Sequence, residues 1–105
     1  MRYKNVIRVG EHSYRWRWDK CLYVFLGAVE TMNQRLVCIA WPENDQQYPD
    51  RESFLRAAAK LATESFVADA ISVALNNGWT PTEAGPDFVL TFDEGAFSVL
   101  GPEPR

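Results

Sequence analysis

Few side chains in this sequence are of types that could do chemistry, and their spacing decides what each is good for. His12 is the only histidine. A catalytic base needs a nucleophile beside it and a carboxylate to orient it, and no local residues supply that set. His12 therefore reads as an exposed residue next to a turn. Glu43, Asp45 and Asp50 cluster in PENDQQYPD, but this stretch lacks the ligand spacing and central glycine of a calcium loop. It reads as a solvated acidic loop. Cys21 and Cys38, with no histidine nearby in sequence, do not make up the tetrahedral ligand set of a structural zinc site. No phosphate-cradling glycine loop, dinucleotide fingerprint, zinc-protease or nucleophile-elbow pattern occurs. The expectation is a chain that is not an enzyme, with no catalytic residue, metal or cofactor.

Tyr14-Arg-Trp-Arg-Trp18 is the more informative stretch. Aromatic rings among arginines resemble the platforms on which single-stranded nucleic acid stacks its bases while cations hold phosphate. Strict alternation on a strand works against that use, because it sends rings and cations to opposite faces. The rings then belong to the core and the cations face outward. Gly10-Glu11 fits a two-residue hairpin turn with glycine at the position requiring positive φ. With that turn, Lys4 faces Arg17, Val6 faces Arg15 and Arg8 faces Ser13. Tyr3, Ile7, Val9, Tyr14, Trp16 and Trp18 share the other face. Lys4, Arg8, Arg15 and Arg17 thus gather on one small surface, where like charges oppose pairing. They call for nearby carboxylates, such as the loop from Glu43 to Asp50, or for an anionic partner. These four are the candidate binding residues.

Charge is unevenly distributed around this hairpin. The chain of 105 residues has a net charge of −3, yet residues 1–20 alone carry +4 and the remainder −7. Such asymmetry bears on surfaces and partners rather than on fold. The overall acidity disfavours nucleic acid, which selects basic domains. Hydrophobic residues make up 47%, a globular composition, and the length suits one domain over 1–105. MRYKNVIRVG lacks the apolar core of a signal peptide, and the longest apolar run, Cys21 to Val29, is too short to span a bilayer. The expectation is a soluble, cytoplasmic protein with no membrane association and two free, buried thiols.

The elements that must position the hairpin follow from the rest of the chain. Cys21 to Val29 and Leu36 to Trp41 read as apolar strands, which extends the hairpin into a four-stranded antiparallel meander. A turn near Asn33 would set Cys38 opposite Gly27 to Val29. Asp50 is a plausible cap for a helix over Arg51 to Leu61, with a Glu52–Arg56 pair one turn apart. Phe66, Val67, Ala70, Ile71, Ala74 and Leu75 recur at helical spacing behind a Thr63 cap, and Asn76-Asn77-Gly78 closes that helix. Whether the two segments form one long helix or two consecutive ones stays open, because the apolar stripe is continuous while the Thr63 cap interrupts it. Phe88 to Phe92 and Phe97 to Leu100 read as short C-terminal strands, with Gly101 to Arg105 as a frayed tail. The predicted fold class is α+β, an antiparallel sheet with helices packed on one face.

The pattern of Ala70-Ile71, Ala74-Leu75, Gly78-Trp79 and Pro81, followed by Gly85-Pro86 and Phe88, resembles the C-terminal signature of small uncharacterised bacterial proteins. That resemblance implies an N-terminal sheet packed on this helix and implies no activity. Physically it reads as helix, glycine cap, aromatic plug and exit turn, with Trp79 closing one end of the core. The function expected is a module that binds another protein, such as an immunity-type or regulatory partner. The alternatives are single-stranded nucleic-acid binding by the basic aromatic hairpin, and small-molecule binding or catalysis in an aromatic pocket.

Overall fold

The computed structural model describes residues 5–26, 33–40, 50–93 and 95–102. Six strands, β1 (Asn5–Val9), β2 (His12–Trp18), β3 (Leu22–Leu26), β4 (Leu36–Ala40), β5 (Phe88–Asp93) and β6 (Ala96–Pro102), form one sheet in sequence order. Two helices, α1 (Arg51–Ala59) and α2 (Glu64–Asn76), lie between β4 and β5. The fold is α+β. The first four strands form the expected meander, whereas β5 pairs with β4 in parallel. Parallel neighbours need a long crossover, and the two helices provide it.

The first hairpin has the register expected from its turn. Val9 pairs with His12, Ile7 with Tyr14, Asn5 with Trp16 and Val6 with Arg15. Gly10 has φ +63 and Glu11 does not share that sign, so glycine takes the one position that an L side chain resists. The next register departs from expectation. Leu22, not Gly27 to Val29, pairs with Cys38, and Cys21 lies in the turn before β3 rather than inside a strand. An unbroken apolar run has no period-2 phase, so its sequence does not select one register. At the C-terminus Gly101 and Pro102 belong to β6 instead of a frayed tail.

Two helices form, not one. The Thr63 hydroxyl accepts from the Phe66 N–H at 3.2 Å, and Asp50 accepts from the Ser53 N–H at 2.7 Å. Each cap satisfies an orphan donor at a helix start. α2 buries Phe66, Val67, Ala70, Ile71 and Ala74 against an inner sheet face carrying Tyr14, Trp16, Leu22, Val24, Leu36, Cys38, Phe88 and Leu90. Leu75, expected on the same stripe, is exposed in the last turn. The chain then reverses at Gly78, φ +102, and the Trp79 N–H returns to the Ala74 carbonyl at 3.0 Å. This is the closure a left-handed glycine permits.

Trp79 closes that end of the core in place of Leu75. Its ring is 3% exposed, packs 5.7 Å from Tyr14, and donates from Nε1 to the Gln34 carbonyl at 3.0 Å. Gln34 is the buried polar hub of the closure. Its Oε1 accepts from the Thr80 N–H at 3.0 Å and the Thr80 hydroxyl at 3.2 Å, while its N–H donates to the Glu83 carbonyl at 2.7 Å.

Candidate docking face

α2 covers one face of the sheet, and the register fixes what stands on the other. Along it run three rows of side chains: Val6, Arg15 and Phe25; then Arg17, Tyr23, Val37 and Val89; then Ile39, Thr91 and Ser98. Arg8 stands opposite Ser13 and diagonal to Arg15. The period-2 split of the hairpin is as expected: Tyr14 and Trp16 are buried and Ile7, Val9 and Trp18 half-buried on the inner face, whereas Val6, Arg8, Ser13 and Arg15 are exposed on the outer. The indole rings of Trp16 and Trp18 are therefore part of the core and do not form a stacking platform.

The four candidate cations separate into different environments. Lys4 lies outside the described residues. Arg17 is already engaged: it meets Asp19 at 3.2 Å and lies 4.7 Å over the Tyr23 ring. Arg35, which the sequence did not single out, approaches the same ring at 4.7 Å from the β4 side and forms a two-pronged pair with Asp87, at 2.6 and 3.2 Å. Asp19, Arg17, Tyr23, Arg35 and Asp87 thus make a continuous ladder across the outer face. Guanidinium over an aromatic face and a forked carboxylate contact are both favourable geometries for arginine. Arg8 and Arg15 are different. Both are exposed, and neither forms an ion pair among the described residues.

Tyr23 anchors the ladder chemically as well as sterically. Its hydrogen bond with the Cys21 side chain, followed by burial, raises its phenol above the ordinary value of 10, against the opposing pull of Arg35 and Arg17. Cys21 is half-buried in the turn before β3, while Cys38 is buried in the core. Both thiols are free. The observed register makes the two cysteines near neighbours, because Leu22, which follows Cys21, pairs with Cys38. Burial pushes the Cys38 thiol up to about 12.

The remaining candidates fall elsewhere. His12 is exposed and meets the Tyr14 ring edge-on at 6.4 Å. Asp50 caps α1, which accounts for its carboxyl being held below the ordinary value. Glu43 and Asp45, and with them any contact of the acidic loop with the basic face, lie outside the described residues. No group of three or more potential metal ligands occurs among the described residues, and none of the helices described is long and apolar enough to cross a membrane.

An aromatic groove does exist, although not at the hairpin. A cavity of about 710 Å³, open to solvent, runs between α2 and the β5–β6 hairpin, with Leu61, Phe66, Phe92 and Phe97 below and Lys60 and Asp69 at its rim. The three phenylalanines pack on one another at 4.8 to 5.4 Å between ring centres. Sequence reasoning missed this groove and the Arg17–Tyr23–Arg35 ladder alike, because both join residues far apart in the chain. Neither a protein-family model, nor a curated protein, nor a solved structure matches this chain.

Proposed function

We propose that this protein is a non-enzymatic binding module of the cytoplasm, which docks a protein partner through the helix-free face of its sheet. An immunity-type or regulatory role fits such a module. The observation that carries the reading is the placement of Arg8 and Arg15, exposed and without ion pairs among the described residues, beside Val6, a valine left 57% exposed. Cations beside apolar surface suit an acidic partner, since complementary charge steers association and sets specificity. Arg17 contributes by holding Tyr23 in place, so it serves the face as a scaffold more than as a contact.

Cross-linking at the native interface tests this. The parent protein should capture an acidic protein from a lysate of its own source, and lose it as salt is raised. An Arg8→Glu, Arg15→Glu variant should keep its fold by circular dichroism and lose that capture. If the variant captures the same protein equally well, the docking face lies elsewhere.

A second reading rests on the groove between α2 and the β5–β6 hairpin. Its apolar floor and polar rim suit a small amphipathic molecule. A fluorescent apolar probe that binds the parent but not a Phe97→Glu variant would favour this reading over the first. Failure of the probe to bind the parent would remove it.

A further inference from the structure

The two edges of the sheet are unequal. β6 bears an extra residue, because Val89 pairs with Gly101 while Leu90 pairs with Val99. Leu100 is left out of the ladder and 65% exposed, Gly101 has φ +81, and Pro102 ends the strand. A bulge and a terminal proline are devices that blunt an edge against further pairing. β1 has neither. It is a regular five-residue strand, first in the sheet order, with no partner on its outer side among the described residues.

The phase of the hairpin tells which β1 groups are open. In a two-residue hairpin the residues flanking the turn exchange both ladder bonds, and bonded and unbonded pairs then alternate. Val9–His12, Ile7–Tyr14 and Asn5–Trp16 are therefore the bonded pairs. The N–H and C=O groups of Val6 and Arg8 point away from β2, and no backbone bond outside the sheet ladders reaches them among the described residues. The side chains of Val6 and Arg8 stand on the helix-free face. Those of Ile7 and Val9 stand half-buried on the inner face, at the rim of the core.

From this we infer that β1 is a docking edge, which takes an extended segment of the partner as a seventh strand of alternating acidic and apolar residues. The inference rests on the protein-binding reading above and names the partner's chemistry. Backbone groups of Val6 and Arg8 supply the register. An added strand sends alternate side chains to opposite faces. Carboxylates on its outer face meet Arg8 across the new pair, and Arg15, one strand further in, adds attraction of the same sign at longer range. Apolar residues on its inner face extend the core past Ile7 and Val9. The charge on Arg8 then disfavours basic strands at the same edge, which is selectivity by repulsion.

The test uses the whole protein and a synthetic peptide alternating glutamate and valine, with its lysine–valine counterpart and an oligothymidylate as controls. With the glutamate peptide at about ten times its Kd, hydrogen exchange at the Val6 and Arg8 amides should slow about tenfold, since exchange then needs the unbound state. The lysine peptide should leave both amides unchanged. A Val6→Pro variant removes one outward donor while sparing the bonds to β2, and edge positions of this kind tolerate proline. It should fold normally and lose the peptide. If the variant binds as well as the parent, or if the peptide shifts Arg15 and Phe25 without protecting the Val6 and Arg8 amides, strand addition is wrong while face docking stands. Binding of the oligothymidylate alone would overturn both readings. Absence of any peptide binding would overturn the edge inference, and the Arg8→Glu, Arg15→Glu experiment would then judge the face by itself.

Discussion

The two faces of this sheet are built from the same strands and obey different rules. On β2 the inner residues Tyr14 and Trp16 are buried against α2, while Ser13 and Arg15, one residue along, face solvent. The inner face tolerates neither a change of shape nor an unpaired polar group, because its contacts are close-packed and mostly apolar. The outer face is the reverse: its geometry is open, and its charges have specific partners or none. The difference teaches that aromatic content alone does not locate a binding surface. Four tryptophans in 105 residues suggest a recognition protein, yet Trp16 and Trp79 are buried and Trp18 packs against the core. What the outer face of the hairpin exposes among the described residues is Val6, Arg8, Ser13 and Arg15.

The sharpest way to break the comparison is to remove the largest plug of the inner face. Trp79→Ala deletes a ring packed on Tyr14 and a hydrogen bond to the Gln34 carbonyl. A loss of about 3–5 kcal/mol is expected for an aromatic ring deleted from a closed core. Urea unfolding checks it. An unchanged midpoint would mean that the end of the core is sealed by something else.

Thiol chemistry separates the faces next. Both cysteines should react in the unfolded chain. In the native protein Cys38 should be nearly inert at neutral pH. Burial raises its thiol from 9.0 to about 12, which cuts its thiolate fraction about a thousandfold. Cys21, half-buried in the turn before β3, should react well ahead of it. Mass spectrometry of pulse-labelled protein gives the order, and equal labelling would contradict the observed register. The same shift has a sign in stability. A folded-state value above the unfolded one favours the neutral thiol in the native state. Its contribution is therefore fully present below about pH 9 and is lost as pH rises through about 12. Cys38→Ala should flatten that alkaline limb.

How much of this was legible in the sequence differs by region, for physical reasons. The first hairpin was legible from Asn5 to Trp16, because a glycine at positive φ fixes the turn and the alternation of rings and cations fixes the faces. The Asp50 and Thr63 caps and the Trp79 plug were legible because capping is local. The β3–β4 register was not, since LYVFL offers no polar phase marker. Nor was the parallel docking of β5 on β4, although a crossover containing two helices is a condition for it. Least legible was Gln34. It stands beside the turn expected near Asn33, and its burial depends on Thr80 and Glu83, some fifty residues downstream. The candidate face was half legible. Arg8 and Arg15 stand as expected, Arg17 turned out to be engaged, and Tyr23, Phe25 and Arg35 were missed within or beside apolar runs that hide which side faces out.

Gln34 lends itself to a smaller test. Gln34→Ala leaves the Thr80 N–H and hydroxyl without their acceptor. Removing one partner of a shielded hydrogen bond costs about 1–3 kcal/mol. Thermal unfolding should register it, and Gln34→Glu, which keeps the acceptor oxygen, should recover part of the loss near neutral pH. A full loss in both variants would assign the effect to packing against Gly85, whose position adjoins the Gln34 side chain, instead of to the hydrogen bonds.

The finest comparison lies within the outer face, between two arginines two residues apart on β2. Arg15 is exposed with no ion pair among the described residues, whereas Arg17 is shielded to 18% exposure, salt-bridged to Asp19 and stacked over Tyr23. If the outer face is divided into scaffold and contact residues, alanine should tell them apart without any partner present. Arg17→Ala removes a cation–π contact and a partly shielded pair, and should cost about 1 kcal/mol. Arg15→Ala should stay within about 0.5 kcal/mol of the parent, as surface substitutions away from specific contacts do. Raising the salt concentration should narrow the gap by the screened part of the Asp19 pair and leave the stacking part. Equal losses in the two variants would erase the distinction and return Arg17 to the set of residues offered to a partner. A loss at Arg15 larger than at Arg17 would mean that Arg15 is also held within the fold, and the basic face would then be structural instead of a surface for docking.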